Sequence, residues 1–278
     1  YGFPVDLTSD LAKESNLELD LGEYENLMSI QRKNAQKNSR VEALLPSAIN
    51  LDDETKFLGY ELDSTKSEIK LIFQNGKNVD CVASGDCVII LDKTPFYGES
   101  GGQVGDSGKL ISKNNEVRVS DTQKVGNFYL HICHIEKGEV RVNQKLNAEI
   151  DINRRNAITS NHSATHLMHS ALRNNLGTHV QQKGSLVSEE KLRFDFSHKQ
   201  KVTPEEILKI EREVNYEINS AKDTQVIETT YEESQKLGAL AFFGEKYGEG
   251  VRVLKICDDY SVELCGGTQV KNSSEIKS

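Results

Sequence analysis

His162 and His166 stand four residues apart in a segment whose apolar members, Ala164, Leu167, Met168, Ala171, Leu172 and Leu176, recur at helical spacing. On a helix, side chains four apart project about 40° from one another and roughly 6 Å along the axis, so both imidazoles can reach one metal ion. A His-x3-His pair alone is a weak signal. Far along the chain, Cys265 ends an apolar run and precedes Gly266-Gly267-Thr268-Gln269, where glycines allow a tight turn that points position 269 back at the same ion. Thiolate sulfur and imidazole nitrogen are ligands that zinc readily takes. A buried structural thiol is the other reading of Cys265, and the flanking residues tip the balance toward a ligand. His169 shares the histidine face and reads as a packing or solvent-facing residue.

The helix that must carry the histidines is predicted over Asn156–Leu176, with Gly177 as its stop. A second helix is predicted from Thr203-Pro204-Glu205-Glu206, which supplies an N-cap, a proline at the first helical position and a capping-box glutamate ahead of Ile207, Ile210, Val214 and Ile218. Strands are expected at Leu192–Phe196, Gln225–Thr229, Val251–Ile256 and Ser261–Leu264, the last two forming a hairpin about Asp258-Asp259.

Between Thr55 and Asp151 the pattern is different. Short β-rich runs at Glu68–Phe73, Val79–Ala83, Cys87–Leu91, Gly108–Ile111, Glu116–Ser120, Phe128–Ile135 and Lys145–Ile152 imply a barrel or sandwich of mostly antiparallel strands. The first stretch, to about Ser47, reads as helical, with Leu17, Leu19, Leu21, Tyr24, Leu27, Met28 and Ile30 leading into a polar run at 31–40. That run is a solvated face or a linker, and Pro46 marks a boundary.

With 278 residues, 36% of them hydrophobic and 28% charged, the chain has the composition of a soluble globular protein of two units. No apolar run approaches the roughly 18 residues of a membrane span and no signal-peptide pattern begins the chain, so the cytoplasm is the expected location. Five cysteines, an odd number, argue against a disulfide framework. A net charge of −9 disfavours non-specific nucleic-acid binding. Locally the balance reverses: between 154 and 201, Arg154, Arg155, Arg173, Lys183, Lys191, Arg193, Lys199 and Lys201 outnumber Glu189, Glu190 and Asp195, which supports an RNA-facing surface.

Several motifs, in collinear order, together resemble one family. Asn161-His162-Ser163-Ala164-Thr165-His166-Leu167-Met168-His169, then Gln182-Lys183-Gly184-Ser185-Leu186-Val187, then Leu192-Arg193-Phe194-Asp195-Phe196-Ser197-His198 resemble the editing domain of alanyl-tRNA synthetases. Phe96-Tyr97-Gly98-Glu99-Ser100-Gly101-Gly102-Gln103-Val104-Gly105-Asp106 resembles the glycine-rich motif of its barrel subdomain. Gly238-Ala239-Leu240-Ala241, Phe243-Gly244-Glu245-Lys246-Tyr247-Gly248 and Glu263-Leu264-Cys265-Gly266-Gly267-Thr268 resemble the segment that carries the second pair of metal ligands. Tyr1-Gly2-Phe3-Pro4-Val5-Asp6-Leu7-Thr8 resembles the end of the tRNA-recognition region, which implies a fragment of a longer synthetase rather than a free-standing editing enzyme. The editing domain of threonyl-tRNA synthetases shares the metal motif without the glycine-rich segment.

The resemblance implies an α+β fold: an N-terminal helical segment over 1–47, a mostly antiparallel β-barrel over 48–152, and a two-layer α/β editing subdomain with the metal-site helix over 153–278. It implies Zn2+ held by His162, His166 and Cys265, with Gln269 where the family has histidine. Amide oxygen is usually a poorer zinc ligand than imidazole. Three outcomes stay open: zinc on three ligands, zinc with Gln269 as a weak fourth, or a metal-poor domain.

The implied reaction is hydrolysis of serine or glycine from tRNA for alanine. Thr165 and Gln182 are the candidates for substrate discrimination, and Gly101, Gly102 and Arg193 those for contact with the acceptor end. The remaining synthetase domains are the implied partners. A non-catalytic tRNA-binding module of the same fold is the alternative.

Overall fold

A computed structural model describes residues 5–14, 17, 19–28, 54–241 and 250–276. The chain divides into two compact units, one of Tyr1–Asn50 with Asn75–Lys77, the other of Leu51–Gln74 with Asn78–Ser278.

In the first unit, helix α1 spans Val5–Glu14 and ends with Lys13 in its last turn, where a cation suits the carbonyl end of the helix. Residues 21–28 are also helical and follow Asp20, whose carboxylate accepts the Glu23 N–H at 2.9 Å and caps the first turn. That cap interrupts the continuous helical reading of 1–47, and leaves Leu17 and Leu19 outside either helix. The polar run at 31–40 and the boundary at Pro46 lie outside the described residues.

The second unit begins with six strands: β1 (Ser64–Gln74), β2 (Gly85–Leu91), β3 (Gly108–Ile111), β4 (Glu116–Val125), β5 (Phe128–Lys137) and β6 (Lys145–Ile150). They pair antiparallel in the order β6-β3-β4-β5-β2-β1, and β1 pairs again with β6. The sheet is a closed barrel, so none of the six is left as an open edge. Alternate residues face inward: Cys87, Ile89 and Leu91 on β2, Cys133 and Ile135 on β5, Leu146, Ala148 and Ile150 on β6, meeting Ile69, Phe96 and Leu110 in one apolar core. A bulge between Val119 and Asp121 lets β4 run on past Ser120. The run expected at Val79–Ala83 narrows to Cys81–Val82, which pairs with Val140–Arg141.

Helix α2, Ile152–Leu176, follows β6 directly, because Asp151 is extended and its carboxylate accepts from Arg154 N at 3.1 Å. This cap starts the helix ahead of Asn156 and stops the strand before Ile152. Helix α3, Pro204–Asn219, carries the expected capping box of Thr203 and Glu206. α2 packs on α3, on the hairpin β7 (Gln182–Val187) and β8 (Leu192–Phe196), and on the antiparallel sheet β9 (Thr224–Thr230), β10 (Gly250–Ile256) and β11 (Ser261–Leu264). Leu167, Ile218, Leu254 and Ile256 form the seam between helices and sheet, each burial contributing on the order of 2 kcal/mol. Strand β7 has no counterpart in the periodicity, since Lys183-Gly184 breaks its alternation. It forms because β8 pairs one side of it while the glycine-rich loop docks on it: Val187 N donates to Gly102 O at 2.7 Å and Val104 N to Val187 O at 3.1 Å.

The junction of barrel and α/β layers is locked by Arg155, in the first turns of α2. Its buried guanidinium pairs with Asp106 and donates to Gly59 O at 2.8 Å and Pro95 O at 3.0 Å.

Candidate metal centre and its cleft

α2 turns His162, Thr165, His166 and His169 inward, where all four are buried. The rings of His162 and His166 stack 5.1 Å apart, and Cys265, at the end of β11, faces both. The ligating atoms of His162, His166 and Cys265 lie within 4.8 Å of one another. The fold thus brings together the three residues singled out by their spacing and flanks.

Hydrogen bonds fix which nitrogen each imidazole offers. His162 Nδ1 lies 2.8 Å from Gln103 Oε1, and that same oxygen accepts the Thr268 backbone N–H at 2.9 Å. A backbone N–H only donates, so the atom is the amide oxygen, and His162 must carry its proton on Nδ1. Its Nε2 lone pair then points at Cys265 Sγ, 3.6 Å away. His166 donates Nδ1–H to Glu263 Oε2 at 2.8 Å, which leaves its Nε2 buried with no hydrogen-bond partner. Two nitrogen lone pairs and one sulfur, with carboxylate and amide behind the rings, fit a zinc-type ion.

The electrostatics agree with that donor set. Burial opposes ionisation of Cys265, but His162 and His166 hold its thiol well below the usual range. Burial also lowers His166, yet the Glu263 carboxylate and the Cys265 sulfur raise it to about 10. Glu263, against its burial, is held at about 2 by His166 and His169. A cation entering here meets a thiolate and displaces an imidazolium proton. His169 is not solvent-facing: it is buried against Phe194 and donates Nδ1–H to the other Glu263 oxygen at 2.9 Å.

Gln269 does reach Cys265, with Nε2 3.3 Å from Sγ, while its Oε1 accepts the Ser163 hydroxyl at 2.7 Å. Gly267 is required by proximity rather than by the turn, since a Cβ there would lie 2.1 Å from His162 Cε1. The carbonyls on either side of it are pinned. Arg252 donates to Cys265 O at 3.2 Å and Gly267 O at 2.9 Å, Tyr60 donates to Gly266 O at 2.5 Å, and the guanidinium sits 4.1 Å from the centre of the Tyr60 ring.

A cleft of about 470 Å³ opens over the trio, lined also by Thr165, Gln182, Gly101, Gly102, Tyr97 and Arg252. Gly101 and Gly102 have φ of +58° and +86°; a Cβ on Gly102 would meet Ser185 O at 2.7 Å, whereas one on Gly101 would meet nothing within 4 Å. Thr165 gives its hydroxyl proton to Asn161 O at 2.8 Å. Arg193 does not line the cleft. It is exposed on β8 and paired with Asp195 at 3.2 Å.

The local basic excess also shrinks as a surface: Arg155 is buried, Arg154 pairs with Glu189 at 2.9 Å, and Arg173 donates to Thr178 O and Val180 O. The segment Phe243–Gly248 lies outside the described residues. Gln103, Glu263, Arg252 and Tyr60 are functional neighbours that spacing does not reveal, although a glutamate between Val262 and Leu264 in an apolar strand is itself a sign of a buried polar role.

The sequence that builds this barrel, this α/β unit and this trio matches known families. The family described as tRNA synthetases class II (A) matches residues 1–154, and the threonyl and alanyl tRNA synthetase second additional domain matches residues 251–278. The chain belongs to the class II (A) tRNA synthetase family. Within it, the chain is similar to the alanine–tRNA ligases of Dichelobacter nodosus, at 48% identity over 278 residues, and of Hydrogenovibrio crunogenus and Pseudomonas fluorescens, at 46% and 44% over 277. Each comparison covers 99% of this chain and 32% of the relative, so the chain spans about a third of the length of the curated relatives it matches. No helix among the described residues is long and apolar enough to cross a membrane.

Proposed function

We propose that this chain is the editing region of an alanyl-tRNA synthetase and hydrolyses the ester that joins serine or glycine to tRNA for alanine. The observation that carries this reading is the single cleft in which the metal-capable trio, the Thr165 hydroxyl and the glycine pair meet. An activation pocket shaped for alanine cannot exclude glycine by size and rejects an added hydroxyl only weakly, so a second, hydrolytic site is a physically sensible remedy.

His162, His166 and Cys265 would hold Zn2+, and the ion when bound supplies a Lewis acid for the ester carbonyl or for water. Thr165 supplies selectivity for serine. Its proton is committed to Asn161 O, so toward the cleft it offers lone pairs, which a seryl hydroxyl satisfies and an alanyl methyl cannot. Gln182, which also lines the cleft, would orient the amino acid. Gly101, where a Cβ would meet nothing within 4 Å, leaves room for the ribose and backbone of the acceptor end, and Gly102 lets the loop lie against Ser185 beside it. Exposed Lys191, Arg193, Lys199 and Lys201 offer charge to the phosphates that follow. The other synthetase domains present the tRNA, and the five free cysteines suit the reducing cytoplasm.

The test is to incubate the chain with seryl-, glycyl- and alanyl-tRNA for alanine, with and without a chelator, while bound zinc is measured. Loss of the seryl and glycyl esters that spares alanyl and stops on chelation is the expected outcome. Binding of tRNA with no metal-sensitive cleavage would favour the non-catalytic module instead.

A further inference from the structure

Gln269 is the one member of the expected ligand set whose part the spacing left open, and its hydrogen bonds settle which of its atoms faces the site. The amide oxygen is the only atom of glutamine with affinity for a cation. Here that oxygen is taken by Ser163, whose hydroxyl lies 2.7 Å away. Ser163 Oγ in turn accepts the Val270 backbone N–H at 3.1 Å, so its own proton is left for the glutamine oxygen. The amide nitrogen lies 3.3 Å from Cys265 Sγ, and the Gly267 backbone N–H lies 3.4 Å from the same sulfur. Turning the amide over would set its oxygen, a second electron-rich atom, against a thiolate. A ligating cysteine is a thiolate, and two N–H donors are what a thiolate accepts.

We propose that Gln269 serves as a hydrogen-bond donor to the Cys265 thiolate and not as a metal ligand, so that the centre has three protein ligands and a fourth position open to the cleft. The inference rests on the metal reading given above. Its consequence is chemical. Donors to a ligating sulfur withdraw electron density from it, which leaves the bound ion a stronger Lewis acid while costing some affinity. The position vacated by a side chain is the one a substrate carbonyl or water must occupy, and His162, His166 and Cys265 all line the cleft from which either would arrive.

The experiment uses the whole chain, stripped of metal and titrated with Co(II) alone, followed by azide as a small probe of an open position. The native chain should develop a thiolate-to-cobalt charge-transfer band, and azide should perturb its spectrum saturably. Gln269→Leu should keep the band, displaced to lower energy because the sulfur has lost a donor. Its cobalt affinity should hold or rise, by no more than about tenfold, because the sulfur keeps more of its electron density, with an azide midpoint within about threefold of the native one. An azide response confined to Gln269→Leu, or absent from both proteins, would show the fourth position already filled and overturn the proposal while leaving the metal site intact. Failure of the native chain to give any cobalt–thiolate band would overturn the metal reading itself, and this proposal with it. The azide arm on the native chain needs no variant to fold.

Discussion

His131 and His166 are both closed off from solvent, one inside the barrel and the other in the α/β half, and their imidazoles end in opposite states. Among the described residues no charged group shifts His131. Its Nδ1 donates to Ile89 O at 2.9 Å, its Nε2 lies 2.7 Å from the Thr94 hydroxyl, and burial, only partly opposed by that carbonyl, pushes its pKa down to about 4. His166 suffers the same burial, but Glu263 and Cys265 turn the balance and raise it to about 10. Removal from water makes a histidine neutral and structural; a buried carboxylate and thiolate beside it make a basic, cation-seeking one. The barrel thus shows what a core histidine looks like when packing alone decides, and the α/β half shows what the helix pair becomes when charge is built around it.

The largest expected effect comes from removing the charge that separates the two. Glu263→Leu leaves the Nδ1–H groups of His166 and His169 buried without an acceptor, and should cost about 3–5 kcal/mol in urea melts of the metal-free chain. A loss below about 1 kcal/mol would mean that Glu263 does not set the difference.

Next is the pH response of the barrel. Because the folded pKa of His131 lies near 4 and the unfolded value near 6.5, the unfolded chain takes up a proton first as pH falls. The contribution of His131 should decline from about pH 6.5 to about pH 4, by about 3 kcal/mol in all, and level off below, where Glu263, held at about 2, goes on losing its own. His166 stays protonated in the folded chain across this window and becomes so in the unfolded chain just below pH 6.5, so its contribution is flat over all but the top of it. His131→Gln should remove most of the slope between about pH 6.5 and 5 in metal-free melts, where the carboxylates have yet to titrate; an unchanged slope there would assign it elsewhere.

A smaller effect tests the reach of the barrel into the metal half. Gln103→Leu removes the oxygen that fixes the His162 tautomer and should weaken zinc binding about 10- to 100-fold, read by competition with a chromophoric chelator. Smallest is Tyr60→Phe, which deletes the hydrogen bond to Gly266 O and should cost about 1 kcal/mol and speed amide exchange at 266–268, with the barrel amides unmoved.

The helix pair was legible in the sequence because four-residue spacing and an apolar stripe are properties of the local chain. The same holds for most barrel strands, whose turns are marked by Asn75-Gly76 and Lys137-Gly138, with Asn75, Gly76 and Gly138 all at positive φ. What stayed hidden depends on contacts between distant segments. Strand β7 exists because β8 and the glycine-rich loop need its backbone, not because its side chains alternate. Arg155, counted among surface cations, is buried because Asp106 waits for it across the junction, and nothing in either local sequence announces the pair. Gln103 was visible within a motif, yet its task of fixing a ring proton appears only once Thr268 shares its oxygen.

The junction that Arg155 closes also bears on how such a protein can be divided. A polypeptide cut at the head of α2 would carry all three ligands but would lose Asp106, Gly59 and Pro95 as partners of that guanidinium, and Gln103 as the keeper of His162. It would expose a stranded arginine and an imidazole free to swap tautomers. In this chain the barrel and the α/β half are therefore coupled, and a cut at the apparent seam between them would part the ligands from the groups that aim them.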